Sequence, residues 1–337
     1  MNDQLVIVSC ADSGELHTLR LASDGSLSPQ QVLPLGGQLM PMAFSPDRRR
    51  LYVARRSEPL AVLTLAVDAG NGRLELLAET PLPASMAYVC TDRSGRFLFS
   101  ASYGGNQIAV QRIDDEGVVL PEATVIPTAP NAHAIAPSPD NRQVLATALG
   151  GGHLMRFGFD AANGTLIPQD PPLVPVHEGA GPRHFVFNRD GDRVYLLNEL
   201  DATLVVFERD LESGALAALQ TLGTVPAGFD GEPWAADLHL SPCGRWLYSC
   251  ERRTSTIAGF AVEADGRLRP IGHWPTQPQP RGFRIGPDGR HLVSSGQLSS
   301  ELDVFAIDAD SGALSLLGHG PVGANPNWIE MLELPAA

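Results

Sequence analysis

One short motif recurs along the whole chain and constrains its fold more than any other feature. The motif has four positions: Asp, Asn or Ser, then Gly, then any residue, then Leu. It returns roughly every 45 to 53 residues. The copies are centred on Gly25, Gly72, Gly164, Gly214, Gly266 and Gly312, with a weaker copy at Gly117. The residues before each copy alternate between apolar and polar, as in TLVVFERD at 203–210. Each copy therefore predicts two antiparallel strands joined by a glycine turn.

A second turn signal alternates with the first along the chain. Its copies begin at Ser45, Asp92, Ser138, Asn188, Ser241 and Gly286, in segments such as SPDRRRLYV and GPDGRHLVS. Each copy joins an apolar strand to the strand that follows it. Two hairpins per unit make a four-stranded antiparallel meander, and seven units predict an all-β, seven-bladed β-propeller.

The second turn has no seventh copy, because a ring of blades has to close. We expect the N-terminal strand at residues 5–9 and the C-terminal strand at residues 328–334 to share one blade. Residues 1–337 are then a single propeller domain. A closed ring has no open sheet edge, which favours a monomer.

Charge and hydropathy exclude two classes of partner. The formal net charge is -14, with 24 Lys and Arg against 38 Asp and Glu, and no run of Lys or Arg is longer than the three arginines at 48–50. Nucleic-acid binding needs a basic face, so it is not expected. No apolar stretch approaches the length of about 20 residues that a membrane helix needs, and the start of the chain lacks a basic signal-peptide region. We therefore expect a cytoplasmic protein that neither binds nor crosses a membrane.

Two rows of repeat-equivalent positions depart from the apolar pattern of the blades. Five residues before the second turn lie Met40, Ala87, His133, Arg183, Ala236 and Arg281. Eleven residues after its first residue lie Arg56, Tyr103, Leu149, Glu199, Arg252 and Gln297. The first row begins the innermost strands and the second row ends the strands beside them. Antiparallel neighbours bring these ends together, so both rows are expected around one mouth of the central channel.

A cluster of basic residues in an acidic protein indicates a site for an anion. Gly and Pro precede Arg183 and His184 in GAGPRHFVF, and Pro precedes Arg281 in QPRGF. In NPNW, Asn327 occupies the corresponding place of the closing blade. An arginine fork suits a carboxylate or a phosphate. A salt-bridged rim with no ligand is the structural alternative.

These motifs resemble one known family. Blade spacing, GAGPRH, NEL at 198–200, WAADLH at 234–239 and QPRGF are similar to the seven-bladed lactonases, which include bacterial 6-phosphogluconolactonases and fungal carboxymuconate lactonising enzymes. The resemblance covers nearly the whole chain. It implies four catalytic residues, which are His133, Arg183, Glu199 and Arg281.

A wider set of side chains is expected to bind the substrate. These residues are Arg56, Tyr103, Asn106, His184, Asn198, Asp237, Arg252, Gln297 and Asn327. Close relatives often carry a lysine in the segment that corresponds to ALGGGHL at 148–154, where this chain has glycines. That departure removes one phosphate contact and leaves a non-phosphorylated lactone open, although Tyr103, Asn106, Arg56 and Arg252 remain available for a phosphate.

The expected chemistry is lactone hydrolysis without a metal or cofactor. Glu199 or His133 accepts the proton of the attacking water, with His184 as an alternative, and Arg183 and Arg281 hold the anionic end and stabilise the oxyanion. The nine histidines show no zinc-ligand spacing such as H-E-x-x-H. GGGH at 150–153 does not open a helix, which argues against dinucleotide binding.

Four functions remain open from the sequence. The first is hydrolysis of a small anionic sugar lactone, 6-phospho-D-glucono-1,5-lactone, to 6-phosphogluconate in the pentose phosphate pathway. The second is hydrolysis of a non-phosphorylated aldonic lactone or hexaro-1,5-lactone. A muconate-type cycloisomerase is the third, and a non-catalytic binding ring is the fourth.

Overall fold

Seven sheets surround a central channel in the computed structural model, which describes residues 2–68 and 70–335. Each sheet has four strands, and every strand pairs antiparallel with its neighbours. The described residues contain no helix that could cross a membrane. The all-β class and the seven four-stranded blades that the repeats predict are confirmed.

Within each blade the strands follow one another from the channel outwards. Blade I contains β28 (Pro326–Glu333), β1 (Gln4–Cys10), β2 (Glu15–Leu21) and β3 (Leu27–Pro34). Blade II contains β4 (Leu39–Phe44), β5 (Arg50–Arg55), β6 (Ala61–Val67) and β7 (Leu74–Pro81), and blade III contains β8 (Tyr88–Thr91), β9 (Phe97–Ser102), β10 (Gln107–Ile113) and β11 (Val119–Pro127). Blade IV contains β12 (Ala132–Pro137), β13 (Gln143–Ala148), β14 (His153–Asp160) and β15 (Thr165–Pro175).

The remaining three blades repeat the same order. Blade V contains β16 (Pro182–Phe187), β17 (Arg193–Asn198), β18 (Thr203–Arg209) and β19 (Leu216–Gly223). Blade VI contains β20 (Ala235–Leu240), β21 (Trp246–Glu251), β22 (Thr256–Val262) and β23 (Leu268–Pro275). Blade VII contains β24 (Pro280–Ile285), β25 (His291–Gly296), β26 (Glu301–Ile307) and β27 (Leu314–Pro321).

The two turn signals fall where the sequence places them. The first joins the third and fourth strands of each blade, and its glycines all have positive φ, from 67° at Gly214 to 88° at Gly25. The second joins the innermost strand to the next one, and its fourth residue also has positive φ: Arg48, Gly95, Asn141, Gly191, Gly244 and Gly289. A tight turn needs this left-handed backbone, which glycine and asparagine adopt most easily.

The ring closes inside blade I, as expected. β28 pairs antiparallel with β1, with Ile7 opposite Glu330 and Val8 opposite Ile329. The two ends of the chain therefore share a sheet, and no blade edge is left open at the junction.

Packing between blades supplies most of the core. Leu5 and Ile7 of blade I are buried against Leu63 and Leu65 of blade II, and equivalent clusters follow around the ring. Fully burying one such side chain contributes about 1.5–3 kcal/mol.

Tyrosine hydroxyls reinforce three of these contacts between blades. Each donates a hydrogen bond to a turn-glycine carbonyl of the following blade, and the pairs are Tyr52 with Gly117 (2.9 Å), Tyr195 with Gly266 (3.0 Å) and Tyr248 with Gly312 (2.7 Å). The repeated turn thus fixes the orientation of adjacent blades as well as closing its own hairpin.

A bulge near the start of the innermost strand matters most for the channel. In six blades the pairing shifts by one residue there, and the shifted segments contain Met40, His133, Arg183, Ala236, Arg281 and Asn327. A bulge re-aims side chains and is common beside functional sites.

Candidate active site

Both rows of polar positions meet at one mouth of the channel. Pro182 lies opposite Asn198, and Pro280 lies opposite Gly296, so the start of each innermost strand is beside the end of the next strand. His133, Arg183 and Glu199 are all buried at this level. The geometry therefore brings the four predicted catalytic residues into one region.

Glu199 is the anchor of the cluster. Its Oε2 accepts hydrogen bonds from Arg183 Nε at 2.7 Å and is 3.0 Å from Arg252 Nη2. The indole Nε1 of Trp234 donates to Oε1 at 3.1 Å. Burial acts to raise the pKa of Glu199, but the two guanidiniums and the indole more than offset it, and the pKa lies below its usual value. Glu199 is therefore an ionised carboxylate with both oxygens occupied.

Trp234 also supports the second guanidinium of the cluster. Its ring centre is 3.7 Å from Cζ of Arg252, a cation–π stack. Arg252 donates from Nε to the carbonyl of Trp234 at 3.0 Å and from Nη2 to the carbonyl of Ala235 at 2.9 Å. Burial, aided by Arg183, lowers the pKa of Arg252 to about 10. Sequence reasoning did not select Trp234, although it begins the WAADLH segment.

Arg281 has the least compensated charge in the cluster. Among the described residues, no hydrogen-bond or ion-pair partner of its guanidinium is found. Burial, followed by the nearby guanidiniums of Arg183, Arg252 and Arg56, lowers the pKa of Arg281 to about 9. Positive potential at this point is therefore high, and an incoming anion would offset it.

Arg56 completes a set of four guanidiniums. Its Nε donates to Ser85 Oγ at 3.1 Å, and its Nη1 lies 2.9 Å from Met40 Sδ. Burial, with Arg183 adding to it, lowers the pKa of Arg56. Serine and methionine are neutral, so this guanidinium keeps its full charge at the mouth.

His133 is a buried imidazole without a partner. Its ring centre is 5.0 Å from that of His184 and 5.9 Å from that of Tyr103. Its Nδ1 has no hydrogen-bond partner among the described residues. Burial, and then the charge of Arg183, places the pKa of His133 well below its usual value. The ring is therefore neutral at pH 7 and has a free nitrogen.

His184 lies below Arg183 and connects it to a buried carboxylate. The Nε2 of His184 is 3.2 Å from Arg183 Nη1, and its Nδ1 is 2.9 Å from Asp237 Oδ1. An arginine N–H can only donate, so Nε2 accepts and Nδ1 carries the proton. Burial is the main cause that lowers the pKa of His184 to about 4.

Asp237 lies beneath the site, and both of its carboxylate oxygens already accept hydrogen bonds from protein groups. Its Oδ1 also accepts the backbone N–H of Leu238 at 3.0 Å, and its Oδ2 is 3.0 Å from Nε2 of His239. Burial raises the pKa of Asp237, but the two histidines outweigh it and the pKa lies well below its usual value. The structure thus gives this predicted substrate-binding residue bonds to protein groups on both oxygens.

Three rings form a floor across the channel. Tyr88, His184 and Trp328 pack edge to face, with ring centres 5.2, 5.5 and 6.0 Å apart. The same three residues line a cavity on the opposite side of this floor. None of His133, Arg183, Glu199 and Arg281 lines that cavity, so we call the three rings the floor and the candidate site on their other side the bowl.

Of the other predicted substrate-binding residues, Tyr103 is exposed at the rim, whereas Asn106 is hydrogen-bonded to the protein. Tyr103 is 37% exposed and its ring is 5.9 Å from that of His133, which places it at the rim of the bowl. Asn106 accepts the backbone N–H of Asn131 on its Oδ1 at 2.8 Å, so its amide oxygen ties two loops together.

Gln297 and Asn327 are bound to protein groups as well. Gln297 accepts from Gln279 Nε2 at 3.1 Å and donates to Asn325 Oδ1 at 2.9 Å. Asn327 is buried and donates to the carbonyl of Asn325 at 2.9 Å. The Gln297 side chain therefore joins blade VII to blade I at the mouth, and the Asn327 side chain is held by the segment that begins β28.

Asn198 lies away from the bowl. Its Nδ2 donates to Thr203 Oγ1 at 2.9 Å, and the residue lines a separate cavity with Val176 and Asp201. The expectation that it contacts the same ligand as Glu199 therefore has no support in its position.

A metal centre is not built from the described residues. No group of three or more His, Cys, Asp or Glu in residues 2–68 and 70–335 is arranged to hold a metal ion. Guanidinium, carboxylate and imidazole groups are the functional groups that the described residues bring to the bowl.

Comparison with known proteins connects this geometry to one family. The family model described as "Lactonase, 7-bladed beta-propeller" matches residues 4–331. Over 327 residues, the chain is 38% identical to a 6-phosphogluconolactonase of Enterobacter sp. (strain 638), covering 97% of this chain and 98% of the relative. A 6-phosphogluconolactonase of Serratia proteamaculans (strain 568) is also 38% identical, over 330 residues, covering 98% of this chain and 99% of the relative.

A solved structure has the same architecture. The periplasmic gluconolactonase of Pseudomonas aeruginosa superposes with a TM-score of 0.91 at 29% identity, covering 99% of this chain and 100% of the other. The fold and the family model thus agree.

Proposed function

The chain belongs to the family of seven-bladed β-propeller lactonases, and we propose that it hydrolyses 6-phospho-D-glucono-1,5-lactone to 6-phosphogluconate. The two curated relatives at 38% identity are 6-phosphogluconolactonases. The substrate is a cyclic ester that carries a phosphate, and its product gains a carboxylate. An enzyme for it needs cationic groups for the phosphate and an activated water for the carbonyl.

One observation carries this proposal. Four guanidiniums converge on the bowl, and Glu199 is the carboxylate that faces them. The protein as a whole has a net charge of -14. The fold itself does not require positive charge to be concentrated in one site of an acidic protein. An anionic ligand would stabilise such a cluster. This supports an anionic lactone over a neutral one.

His133 is the better candidate for the base that activates water. Glu199 is ion-paired on Oε2 and hydrogen-bonded on Oε1, so taking a proton would break those bonds. His133 is neutral, and neither of its ring nitrogens has a hydrogen-bond partner among the described residues. A bound anion near Arg183 would offset the charge that depresses its pKa, and would move that pKa towards the working pH.

Arg183 and Arg281 take different parts. Arg183 is fixed by Glu199, His184 and the carbonyl of Ala236, and its Nη2 has no partner among the described residues. A fixed donor suits the oxyanion of the tetrahedral intermediate, where one such group is worth about 10²–10³ in rate. Arg281, which is unpaired, is left for the phosphate of the substrate.

A non-phosphorylated lactone is the second candidate. The turn between β13 and β14 is Leu149 and three glycines, so blade IV presents no cationic side chain there. The solved structure of similar fold from Pseudomonas aeruginosa is a gluconolactonase. Gluconolactone shares the ester but lacks the phosphate, so a single assay on both lactones separates the two candidates.

The test follows acid release from freshly prepared 6-phosphogluconolactone in weak buffer, above the spontaneous rate. We expect rapid hydrolysis by the wild type and a loss of about 10²-fold or more for Arg183→Ala. Arg142→Ala is the matched control, because Arg142 is exposed on the second turn of blade IV and away from the bowl. No turnover by a folded wild type would favour a cycloisomerase or a binding ring instead.

A further inference from the structure

A second cavity occupies the opposite end of the channel. It has a volume of about 690 Å³ and begins on the far side of the floor of Tyr88, His184 and Trp328. The ends of the innermost strands form its wall, and the second turns of several blades form its rim. Small-molecule sites commonly have volumes of about 300–1,000 Å³. Nothing in the proposed lactone hydrolysis uses this space.

The carboxylates that line this cavity are already bound to protein groups. Asp92 accepts the side chains of Ser94 and Asn141 at 2.6 and 3.0 Å, together with backbone N–H groups. Glu330 takes the guanidinium of Arg284 on one oxygen at 3.1 Å and the indole of Trp328 on the other at 3.2 Å.

The third carboxylate, Asp237, is held by His184 and His239. All three carboxylates therefore already accept bonds from protein groups on both oxygens. A cation is not the ligand that this cavity favours.

Three rim arginines have no ion-pair partner in the part of the chain that the structure describes. Arg48, Arg93 and Arg189 belong to the second turns of blades II, III and V, and all three are exposed. The guanidinium of Arg93 donates to the carbonyls of Pro137 and Ser138, at 3.1 and 3.3 Å.

The other two rim guanidiniums are freer still. Arg48 lies 5.0 Å over the ring of Phe44, and no carboxylate within 4.0 Å of Arg48 or Arg189 is found among the described residues. Three positive charges therefore surround an opening whose carboxylates are already hydrogen-bonded to protein groups.

The wall between the rim and the floor mixes apolar and polar side chains. Met42, Phe44, Val89 and Phe187 contribute the apolar part, Thr91 and Asn188 lie beside them, and aromatic rings close the inner end. A ligand that combines an apolar or planar body with a negative group at the rim would contact both the apolar side chains and the guanidiniums.

We propose that this cavity is a second binding site, for a small organic anion with a carboxylate, sulfonate or phosphate group on an apolar body. The guanidiniums of Arg48, Arg93 and Arg189 bind the anionic group, and the aromatic wall packs against the body. The proposal does not depend on the lactonase assignment, because none of the four predicted catalytic residues lines this cavity.

The probe is 1-anilinonaphthalene-8-sulfonate, an aromatic sulfonate whose fluorescence rises on binding in an apolar site. Its uncharged analogue N-phenyl-1-naphthylamine is the matched probe. We expect saturable sulfonate binding to the wild type, with Kd raised about tenfold in the double variant Arg48→Asn, Arg189→Ala. Asparagine at 48 accepts the positive φ of 61°. Binding of the uncharged analogue should change less than twofold.

Two controls make the outcome decisive. Arg142→Ala, on an equivalent turn but outside the cavity, should bind the sulfonate like the wild type. Arg281→Ala should do so as well, because its guanidinium is in the bowl. Circular dichroism checks that each variant is folded. An unchanged Kd in the double variant, or a loss that appears in Arg281→Ala instead, would overturn the proposal.

Discussion

Oδ1 of Asp237 lies 2.9 Å from Nδ1 of His184, and this hydrogen bond decides which nitrogen of the imidazole carries a proton. With Nδ1 protonated, Nε2 offers a lone pair to Arg183 Nη1 at 3.2 Å. The other tautomer would place two N–H groups against each other. A carboxylate in blade VI thus holds a guanidinium of blade V in place through one histidine.

The first prediction concerns Asp237→Asn. His184 and His239 bond to different oxygens of Asp237, and the amide replaces one of these acceptors with an N–H donor, so one of the two histidines loses its acceptor. We expect kcat for 6-phosphogluconolactone to fall about tenfold or more with KM changed less than threefold. Nitrogen-15 NMR should show His184 losing its single tautomer.

His239→Gln is the control for that variant, since it leaves the bond between Asp237 and His184 intact. It should keep kcat within about threefold of the wild type. Equal losses in both variants, or a normal His184 spectrum in Asp237→Asn, would contradict the positioning role.

Glu199 and Arg281 should have opposite effects on stability. Glu199→Gln leaves Arg183 and Arg252 buried without their counter-charge, and breaking a buried ion pair from one side costs about 3–5 kcal/mol. Arg281→Ala removes a guanidinium whose charge is disfavoured in the folded state, so its melting temperature should equal or exceed that of the wild type. Thermal unfolding followed by circular dichroism checks both, and the reverse order would be inconsistent with the charge balance described.

Trp234→Phe tests the indole hydrogen bond to Glu199. The ring still stacks under Arg252, but the N–H that reaches Oε1 at 3.1 Å is lost. A hydrogen bond to a charged group is worth about 1.5–3 kcal/mol, so kcat/KM should fall roughly tenfold while the fold is kept. Trp234→Ala removes the stack as well and should be worse. Wild-type kcat/KM in Trp234→Phe would show that Glu199 needs no support on that side.

Arg281 predicts how product binding depends on pH. Its pKa is lowered to about 9, below its value in the unfolded chain, so the guanidinium loses its proton as the pH rises through that value. Ki for 6-phosphogluconate, which is stable where the lactone is not, should be flat from pH 7 and rise about tenfold per pH unit above about 9. In Arg281→Ala the inhibition should be weaker and this rise absent. An identical rise in the variant would assign the titration to another group.

The sequence predicts the ring because its evidence is local. A hairpin turn of this kind needs a residue with positive φ. Gly25, Gly214 and the equivalent glycines supply it, so a few residues of sequence are enough to predict each turn. Counting those turns predicts the number of blades, and it also predicts that the two ends of the chain share one blade. The spacing from the second turn also selected the positions where the innermost strands bulge, although the bulges themselves depend on pairing that no single strand reveals.

Asn198 and Glu199 are adjacent in the chain but lie in different surroundings. Asn198 is the last residue of β17, and Glu199 follows the strand. Glu199 reaches the bowl, whereas Asn198 lines the space beside Val176 and Asp201.

Contacts between blades are the part that the sequence could not supply. Trp234 reaches Glu199 from the segment before blade VI, and Asp237 reaches His184 from the adjacent blade. Both pairs are far apart along the chain, so no spacing rule connects them. The roles of His133, Arg183, Glu199 and Arg281 stay predictions until the variants are measured.

The most direct test of the central claim is the ratio of kcat/KM for 6-phosphogluconolactone to that for glucono-1,5-lactone, measured for the wild type and for Arg281→Ala. An anion site built from four guanidiniums predicts a ratio of about 10² or more in the wild type, reduced at least tenfold in the variant. A ratio near one in the wild type, unchanged by Arg281→Ala, would contradict recognition of the phosphate by this bowl.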